Sequence, residues 1–182
     1  MKLLIVSDIH GDISSVERIT EIFEREKFDE ILLLGDVLYH GPRNDLPDFY
    51  APKRVIPLIN SYAEKIIAVR GNCDAEVDGM VLDFPVCDDY RILEADGVKI
   101  FATHGHIFSK ENIPENIEFD LFAQGHTHLL GIEEIVGGRF FLNPGSITLP
   151  KGGNERSYAT LEKGEIKIFD FNGNLIISRK IS

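Results

Sequence analysis

Cysteine and positive charge are what this 182-residue chain has little of: it carries two cysteines, and 19 lysines and arginines against 30 aspartates and glutamates. Cys73 and Cys87 form no CxxC pair and are too few for a disulfide framework. That excludes a disulfide-stapled module and favours a cytoplasmic protein with free thiols. The net charge of -11 argues against stable nucleic-acid binding, because phosphate backbones are held by basic surfaces. Long apolar runs are missing too. Leu3-Leu4-Ile5-Val6 is cut by Asp8 before it could serve as a signal-peptide core or a membrane span, so no membrane association is expected. Gly152-Gly153 lacks P-loop spacing, which removes that class of ATPase. There is no repeat, low-complexity tract or linker, and residues 1–182 suit one domain by length.

What the chain does have is an alternation of apolar bursts with amphipathic stretches, as a layered α/β domain (α+β in some schemes) requires. Residues 2–6 read as a buried strand. A helix follows over about Ser15 to Glu26, with Ser14 as its cap, Glu17 at the capping-box position, and Val16, Ile19, Ile22 and Phe23 on one face. Ile31 to Leu34 and Ile66 to Val69 read as further strands. Between them, a polar loop over 39–52 leads to a helix marked by Val55, Ile56, Ile59 and Tyr62, with Pro57 in its first turns. The second half reads as antiparallel: 90–93 with 99–102 about Asp96-Gly97, then 121–123, then 131–136 with 139–142 about Gly137-Gly138. Strands at 157–161, 166–171 and 175–178 close the chain. Two packed sheets with outer helices cover such a set of strands.

Polar clusters stand at the ends of the apolar runs. Asp8-Ile9-His10 follows the first, and a strand period of two turns both polar side chains one way while Ile9 points elsewhere. Gly11 permits a tight turn beside them. Asp36 follows Leu34-Gly35, and its two oxygens can bridge two cations. Asn72 follows Arg70-Gly71 and offers an amide oxygen without adding charge. His104 follows Thr103 and precedes Gly105-His106, while His126 and His128 flank Thr127 after Gly125. Taken singly, each has a structural reading as a loop cap, a turn residue or a solvated histidine. Together, four of the six histidines join two aspartates and one asparagine at strand-end loops, the donor set of a site for two metal ions.

Ser7-Asp8-Ile9-His10-Gly11, Leu34-Gly35-Asp36-Val37, Val69-Arg70-Gly71-Asn72-Cys73-Asp74, Thr103-His104-Gly105-His106 and Gly125-His126-Thr127-His128 resemble the motifs of the calcineurin-like metallophosphoesterase superfamily, in the same order. Asn44 to Lys53 and Asn143-Pro144-Gly145-Ser146 are similar to the small YfcE-type bacterial and archaeal phosphodiesterases in particular. The resemblance extends over essentially the whole chain.

The resemblance implies a metallophosphoesterase β-sandwich of two mixed sheets flanked by helices, four layers in all, with the site where strand-end loops meet. It implies that Asp8, His10 and His128 hold one divalent cation, that Asn72, His104 and His126 hold a second, and that Asp36 bridges them. Manganese is the first expectation, and oxygen and imidazole ligands also admit zinc, iron, nickel or cobalt. Such a pair generates hydroxide from a bridging water and stabilises charge on a phosphoryl group, so the implied activity is hydrolysis of small phosphodiesters. Thr103 and Asp74 are expected to orient ligands.

Cys73 departs from many superfamily members, which carry histidine directly after the ligand asparagine. A neutral thiol cannot replace a cationic imidazole, so Cys73 packs beside the site and phosphomonoester hydrolysis is disfavoured. His106 is weighed between proton transfer and simple packing. Arg43 and Arg70, with Lys151 among other basic loop residues, could contact substrate, and Gly145-Ser146 could present a turn to phosphate or, equally, turn the chain tightly for structural reasons. A phosphomonoesterase or nucleotide hydrolase is the alternative enzyme. A non-catalytic protein scaffold is the third reading, since the family includes a retromer subunit of similar fold. A homodimer or higher homo-oligomer is expected.

Overall fold

The computed structural model describes residues 1–181. Three parallel strands, β1 (Leu3–Val6), β2 (Glu30–Leu33) and β3 (Ile66–Ala68), form half of a first sheet. The sheet continues antiparallel from β1 through the C-terminal meander of β9 (Ser157–Glu162), β10 (Glu165–Asp170) and β11 (Leu175–Lys180). Its order is β11-β10-β9-β1-β2-β3. The second sheet takes β4 (Tyr90–Ala95), β5 (Val98–Thr103), β6 (Leu121–Ala123), β7 (Gly131–Ile135) and β8 (Arg139–Asn143) in the order β4-β5-β6-β8-β7. Both sheets are mixed, because β5, β6 and β8 run parallel while β4 and β7 run against their neighbours.

The unbroken apolar run of β1 has a direct cause: the strand is covered on both faces. Leu3 and Ile5 join Leu32, Ile100, Leu121, Leu142, Leu161 and Ile168 between the sheets. Leu4 and Val6 face the other way, onto Val16, Ile19, Ile22 and Phe23 of α1 (Ile13–Glu26) and Val55 and Ile59 of α2 (Pro52–Asn60). Fully covered parallel strands read as continuous hydrophobic runs for this reason. The outer face of the second sheet is apolar as well. Phe101, Phe122 and Phe141 project there from β5, β6 and β8 and are covered by Phe108, Ile113, Ile117 and Phe119. That fourth layer is an irregular aromatic segment, while the two α-helices both lie on the first sheet.

Helix boundaries differ from the sequence expectation in three ways. The N-cap of α1 is Asp12, which accepts from the Ser15 N–H at 2.8 Å, in place of Ser14. Asp12 wins because its other oxygen also takes the Phe49 N–H at 3.3 Å, tying the 39–51 loop to the helix start. Glu17 does not close a capping box and pairs instead with Arg54 at 3.2 Å. In α2 the residue at the first helical position is Pro52, which loses nothing by lacking an N–H there; Pro57 lies deeper inside the helix and Tyr62 beyond its end.

These contacts separate two carboxylates that look alike in the sequence. Asp12→Ala should lower the unfolding free energy by about 1–2 kcal/mol, whereas Glu17→Ala should change it by less than about 0.5 kcal/mol, as exposed ion pairs do. Urea denaturation of the metal-free protein checks the pair, and equal effects would contradict the assignment of the cap.

Candidate metal centre

Parallel strands end their chains on one side of a sheet, and ligand sites form beyond those carboxyl ends. Here the parallel parts of both sheets do so together. Asp8 and His10 follow β1, Asp36 follows β2, Asn72 follows β3, His104 follows β5, and His126 and His128 follow β6. Five of these seven residues hold left-handed backbone: Asp8 (φ 58), His10 (φ 49), Asp36 (φ 57), His126 (φ 67) and His128 (φ 60). Non-glycine residues rarely adopt that region, and its recurrence at one place marks a site where geometry is held against local preference. Glycines allow the loops to close. A Cβ on Gly125 would overlap Ser7 Oγ, and one on Gly71 would overlap the Asp36 carboxylate and amide.

The side chains converge. His128 Nε2 lies 3.1 Å and His10 Nε2 3.5 Å from Asp8 Oδ1, with 3.3 Å between the two imidazole nitrogens. Asp36 Oδ2 lies 3.8 Å from His10 Nε2 and 3.4 Å from His104 Nε2. His104 Nε2 in turn lies 3.1 Å from Asn72 Oδ1 and 3.2 Å from His126 Nδ1. Donors that share one cation at about 2.0–2.2 Å must stand roughly 3–3.5 Å apart, and these separations are at or just above that spacing. Asp8, His10 and His128 make one candidate cluster and Asp8, Asp36 and His104 another. Asn72 and His126 extend the second.

The fit to cations is visible in one atom. Asp8 Oδ1 is buried, acidic and without a hydrogen-bond donor, while Asp8 Oδ2 accepts from Ser7 Oγ at 2.6 Å and the His126 N–H at 3.1 Å. A buried carboxylate oxygen facing imidazole nitrogens and no N–H is a ligand position. Oxygen and imidazole donors suit borderline divalent ions.

Backbone carbonyls aim the imidazoles. His10 donates from Nδ1 to Tyr39 O at 2.8 Å, His104 to Leu34 O at 2.6 Å, and His128 to Leu149 O at 2.5 Å, so each turns Nε2 inward. His126 presents Nδ1 instead. The Asp74 carboxylate accepts the N–H groups of Asp36, Val37 and Gly71 at 2.7–2.8 Å, clamping the Asp36 and Asn72 loops together. Cys73 N–H donates to Asp36 Oδ1 at 2.8 Å.

Other expectations from the sequence fall in different places. The Thr103 hydroxyl donates to Asp89 O at 3.0 Å, away from the candidate ligand side chains. Ser146 is fully buried and braces the site, donating to Asp8 O at 2.9 Å, so it presents no turn to a substrate. Arg70 pairs with Asp89 at 2.5 Å and lines a separate hollow with Leu82 and Phe84. Arg43 lines the cleft over the ligands, beside Asn44, Cys73 and Lys151. Sequence reading missed Ser7, the Tyr39 and Leu149 carbonyls, and Asn143, whose amide donates to Gly125 O at 2.9 Å and Thr127 Oγ1 at 3.0 Å. Asn143 and Ser146 stand in a motif already noted for its resemblance; nothing in residue type distinguishes the carbonyls.

Electrostatics follow the geometry. Burial opposes charge on Asp8, yet the His10 and His128 imidazoles that face its Oδ1 hold its carboxyl well below the usual range. Burial likewise opposes a proton on His104, and Asp36 overrides it, raising the imidazole to about 9. His106, 5.4 Å from His104 between ring centroids, is lowered to about 4 by burial and by its cationic neighbours. Burial and the Asp36 charge push the Cys73 thiol up to about 12.

Comparison with known proteins places the chain. A sequence model of the calcineurin-like phosphoesterase superfamily domain matches residues 1–165. Phosphodiesterase YfcE of Escherichia coli K12 is 44% identical over 179 residues, covering 98% of this chain and 97% of that protein. The solved structure of the E. coli phosphoesterase YfcE superposes with a TM-score of 0.95 at 43% identity, covering 100% of both chains. Vacuolar protein sorting 29 of Cryptosporidium parvum shares the fold with a TM-score of 0.68 at 18% identity, over 98% of this chain and 97% of that one.

The raised His104 pKa has a signed consequence. In the metal-free protein its bound proton contributes stability that is fully present below the ordinary value of 6.5 and is lost as pH rises through about 9. A cation needs the neutral imidazole, so it must displace that proton. Calorimetry with manganese in buffers of different ionisation heat should show net proton release at about pH 7 and tighter binding as pH rises. Proton uptake, or affinity that falls with rising pH, would contradict this account.

Proposed function

The chain belongs to the calcineurin-like phosphoesterase superfamily, and on that premise we propose that it is a metal-dependent phosphodiesterase acting on small phosphodiesters at a two-cation site. The observation that carries the reading is the unpartnered Asp8 Oδ1 inside a shell of inward-turned imidazole nitrogens. Near-full-length identity to a phosphodiesterase supports the choice of ester. Asp8, His10 and His128 hold one cation, Asn72, His104 and His126 the other, and Asp36 serves both. Manganese is the proposed ion, and the same donors accept zinc, iron, nickel or cobalt. When bound, the pair supplies Lewis acidity, lowering the pKa of water and neutralising charge on the phosphoryl group.

The protein's own residues divide the remaining work. Asp8, His10, Asp36, His104 and His128 are buried, while Asn72 is exposed and His126 half-buried, so substrate approaches from the Asn72–His126 side. The carbonyls of Tyr39, Leu34 and Leu149 fix the imidazoles in one tautomer and orientation. His106 packs against His104 and His126, with ring centroids 5.4 and 6.3 Å from theirs, and a pKa lowered to about 4 makes it a weak base, which favours packing over proton transfer. In the metal-free protein Cys73 is a neutral thiol, and unlike an imidazole it can offer no cation to a departing alkoxide, which favours diesters with good leaving groups over monoesters or nucleotides. We further read residues 1–182 as one domain of a cytoplasmic homo-oligomer, a dimer or higher. Support comes from free Cys73 and Cys87, from the absence of any membrane-length apolar helix among the described residues, and from exposed Leu46 and Phe49 on the loop beside the cleft.

Metal analysis of the loaded protein should find two cations per chain, and chelation should abolish hydrolysis that manganese restores. Asp36→Asn or His126→Ala should each lower kcat/KM for an aryl phosphodiester by at least about 100-fold, at or beyond the loss typical when only a ligand's supporting partner is removed. Undiminished turnover in both variants would overturn the mechanism. In a matched panel, diesters should outrun monoesters; the reverse order would move the reading to a phosphomonoesterase.

A further inference from the structure

The cleft over the two ligand sets is charged against the trend of the molecule. Acidic residues outnumber basic ones by 30 to 19 in this chain, yet among the described residues the only carboxylate lining the cleft is Asp36 in its floor, and its rim carries Arg43 and Lys151. Of the ion pairs among the described residues, none involves either side chain. Arg18, Arg70 and Lys110, elsewhere, are paired with carboxylates. Among the described residues Lys27, Lys53, Lys65, Arg139 and Lys163 also lack a pair, so what sets this place apart is that two such groups line one cleft.

Both cations are tied to the metal ligands through the backbone. Arg43 lies on the loop whose Tyr39 carbonyl accepts from His10, and Asn44 Nδ2 fixes that loop by donating to His40 O at 2.8 Å. The Lys151 N–H donates to His128 O at 3.1 Å. Two loops that orient ligand histidines therefore each present one unpaired positive group to the same cleft. A simple phosphodiester brings a single negative charge, and the proposed cation pair meets it. The rim charges remain for something else.

We infer that the substrate carries a second anionic group, a phosphate or a carboxylate, next to its scissile diester, and that Arg43 and Lys151 receive it. This rests on the phosphodiesterase reading above and narrows it to a substrate class. Both side chains are exposed, so two cations beside one anion should favour the doubly anionic ester by about tenfold at low salt, and less as salt screens them.

The test uses manganese-loaded protein and four p-nitrophenyl diesters with the same leaving group, whose second ester arm ends in phosphate, carboxylate, a neutral alkyl group or a quaternary ammonium. The expected order of kcat/KM is phosphate or carboxylate above neutral above ammonium, by about tenfold per step at low ionic strength. The two anionic arms tell which group is preferred. Arg43→Gln and Lys151→Gln should each compress that order, and Lys151→Glu should invert it. Equal rates across the four esters would overturn the inference while leaving the diesterase reading intact, as would an order that survives in the variants. A uniform loss for all four esters in the variants would also overturn it, by assigning both side chains to the scissile phosphate. If no ester turned over, the diesterase reading would fail. The inference would then be decided by calorimetric binding of the same esters: a preference of fivefold or more for the anionic arms supports it, and equal affinities refute it.

Discussion

Two carboxylates withdrawn from water set the terms for the rest of this molecule. Asp8 is wholly buried and Asp36 nearly so, and an ionised carboxyl in such a place is unfavourable unless it is paired and hydrogen-bonded. Partial relief comes from donors: Ser7 and the His126 amide for Asp8, the Cys73 amide for Asp36. Those donors reach one oxygen of each carboxylate. The other oxygens face imidazoles, and imidazoles relieve a carboxylate only by holding a proton or by sharing a cation with it. The raised His104 pKa and the lowered Asp8 pKa are the proton solution. A bound divalent ion is the stronger one, because it neutralises both carboxylates without placing like-charged imidazolium rings side by side.

The backbone bears the consequence. Left-handed turns at five of seven donor positions are locally unfavourable, and they persist because each is held from several directions. Asp74 fastens three amides across two loops, Asn143 fastens the Gly125–Thr127 turn, and Ser146 fastens the Asp8 carbonyl. These braces lie in and beside the loops that follow strands buried on both faces. Precision at the site is thus borrowed from the packing of β1, β2, β5 and β6. The aromatic layer over Phe101 and Phe122 serves the same end, since it stands where a helix would otherwise be needed to cover the second sheet.

How much of this is legible in the sequence depends on whether a residue's role shows in its type. Strand-end aspartates and histidines stand out because short apolar runs break at charged or ring-bearing residues, so the donor set and the two-sheet architecture can both be read directly. The cap of α1 cannot. Asp12 and Ser14 are equally good capping residues by type, and only the long-range contact with Phe49 decides between them. The tethering carbonyls of Tyr39, Leu34 and Leu149 are invisible for a deeper reason: every residue has a carbonyl, and its use depends on tertiary position. At Gly145-Ser146, residue type leaves a phosphate-facing turn and a structural turn equally open. Burial decides between them, turning the Ser146 hydroxyl inward to brace Asp8.

The division between buried floor and open rim has a further implication. The floor is nearly determined by chemistry, because carboxylate and imidazole donors at these spacings leave few alternatives. Selectivity must then come from groups that see the substrate beyond its scissile phosphorus. Cys73 lies at that boundary. Its backbone belongs to the floor through Asp36, while its side chain lines the cleft as an uncharged thiol. A cationic residue there would draw charge toward the phosphoryl centre itself. A neutral one leaves the positive side chains lining the cleft as Arg43 and Lys151, which the proposed reading assigns to whatever the substrate carries beside its reacting bond. On the proposed phosphodiesterase reading, the same residue that withholds help from the leaving group also shifts the electrostatic focus outward, from how the bond breaks to which ester is held.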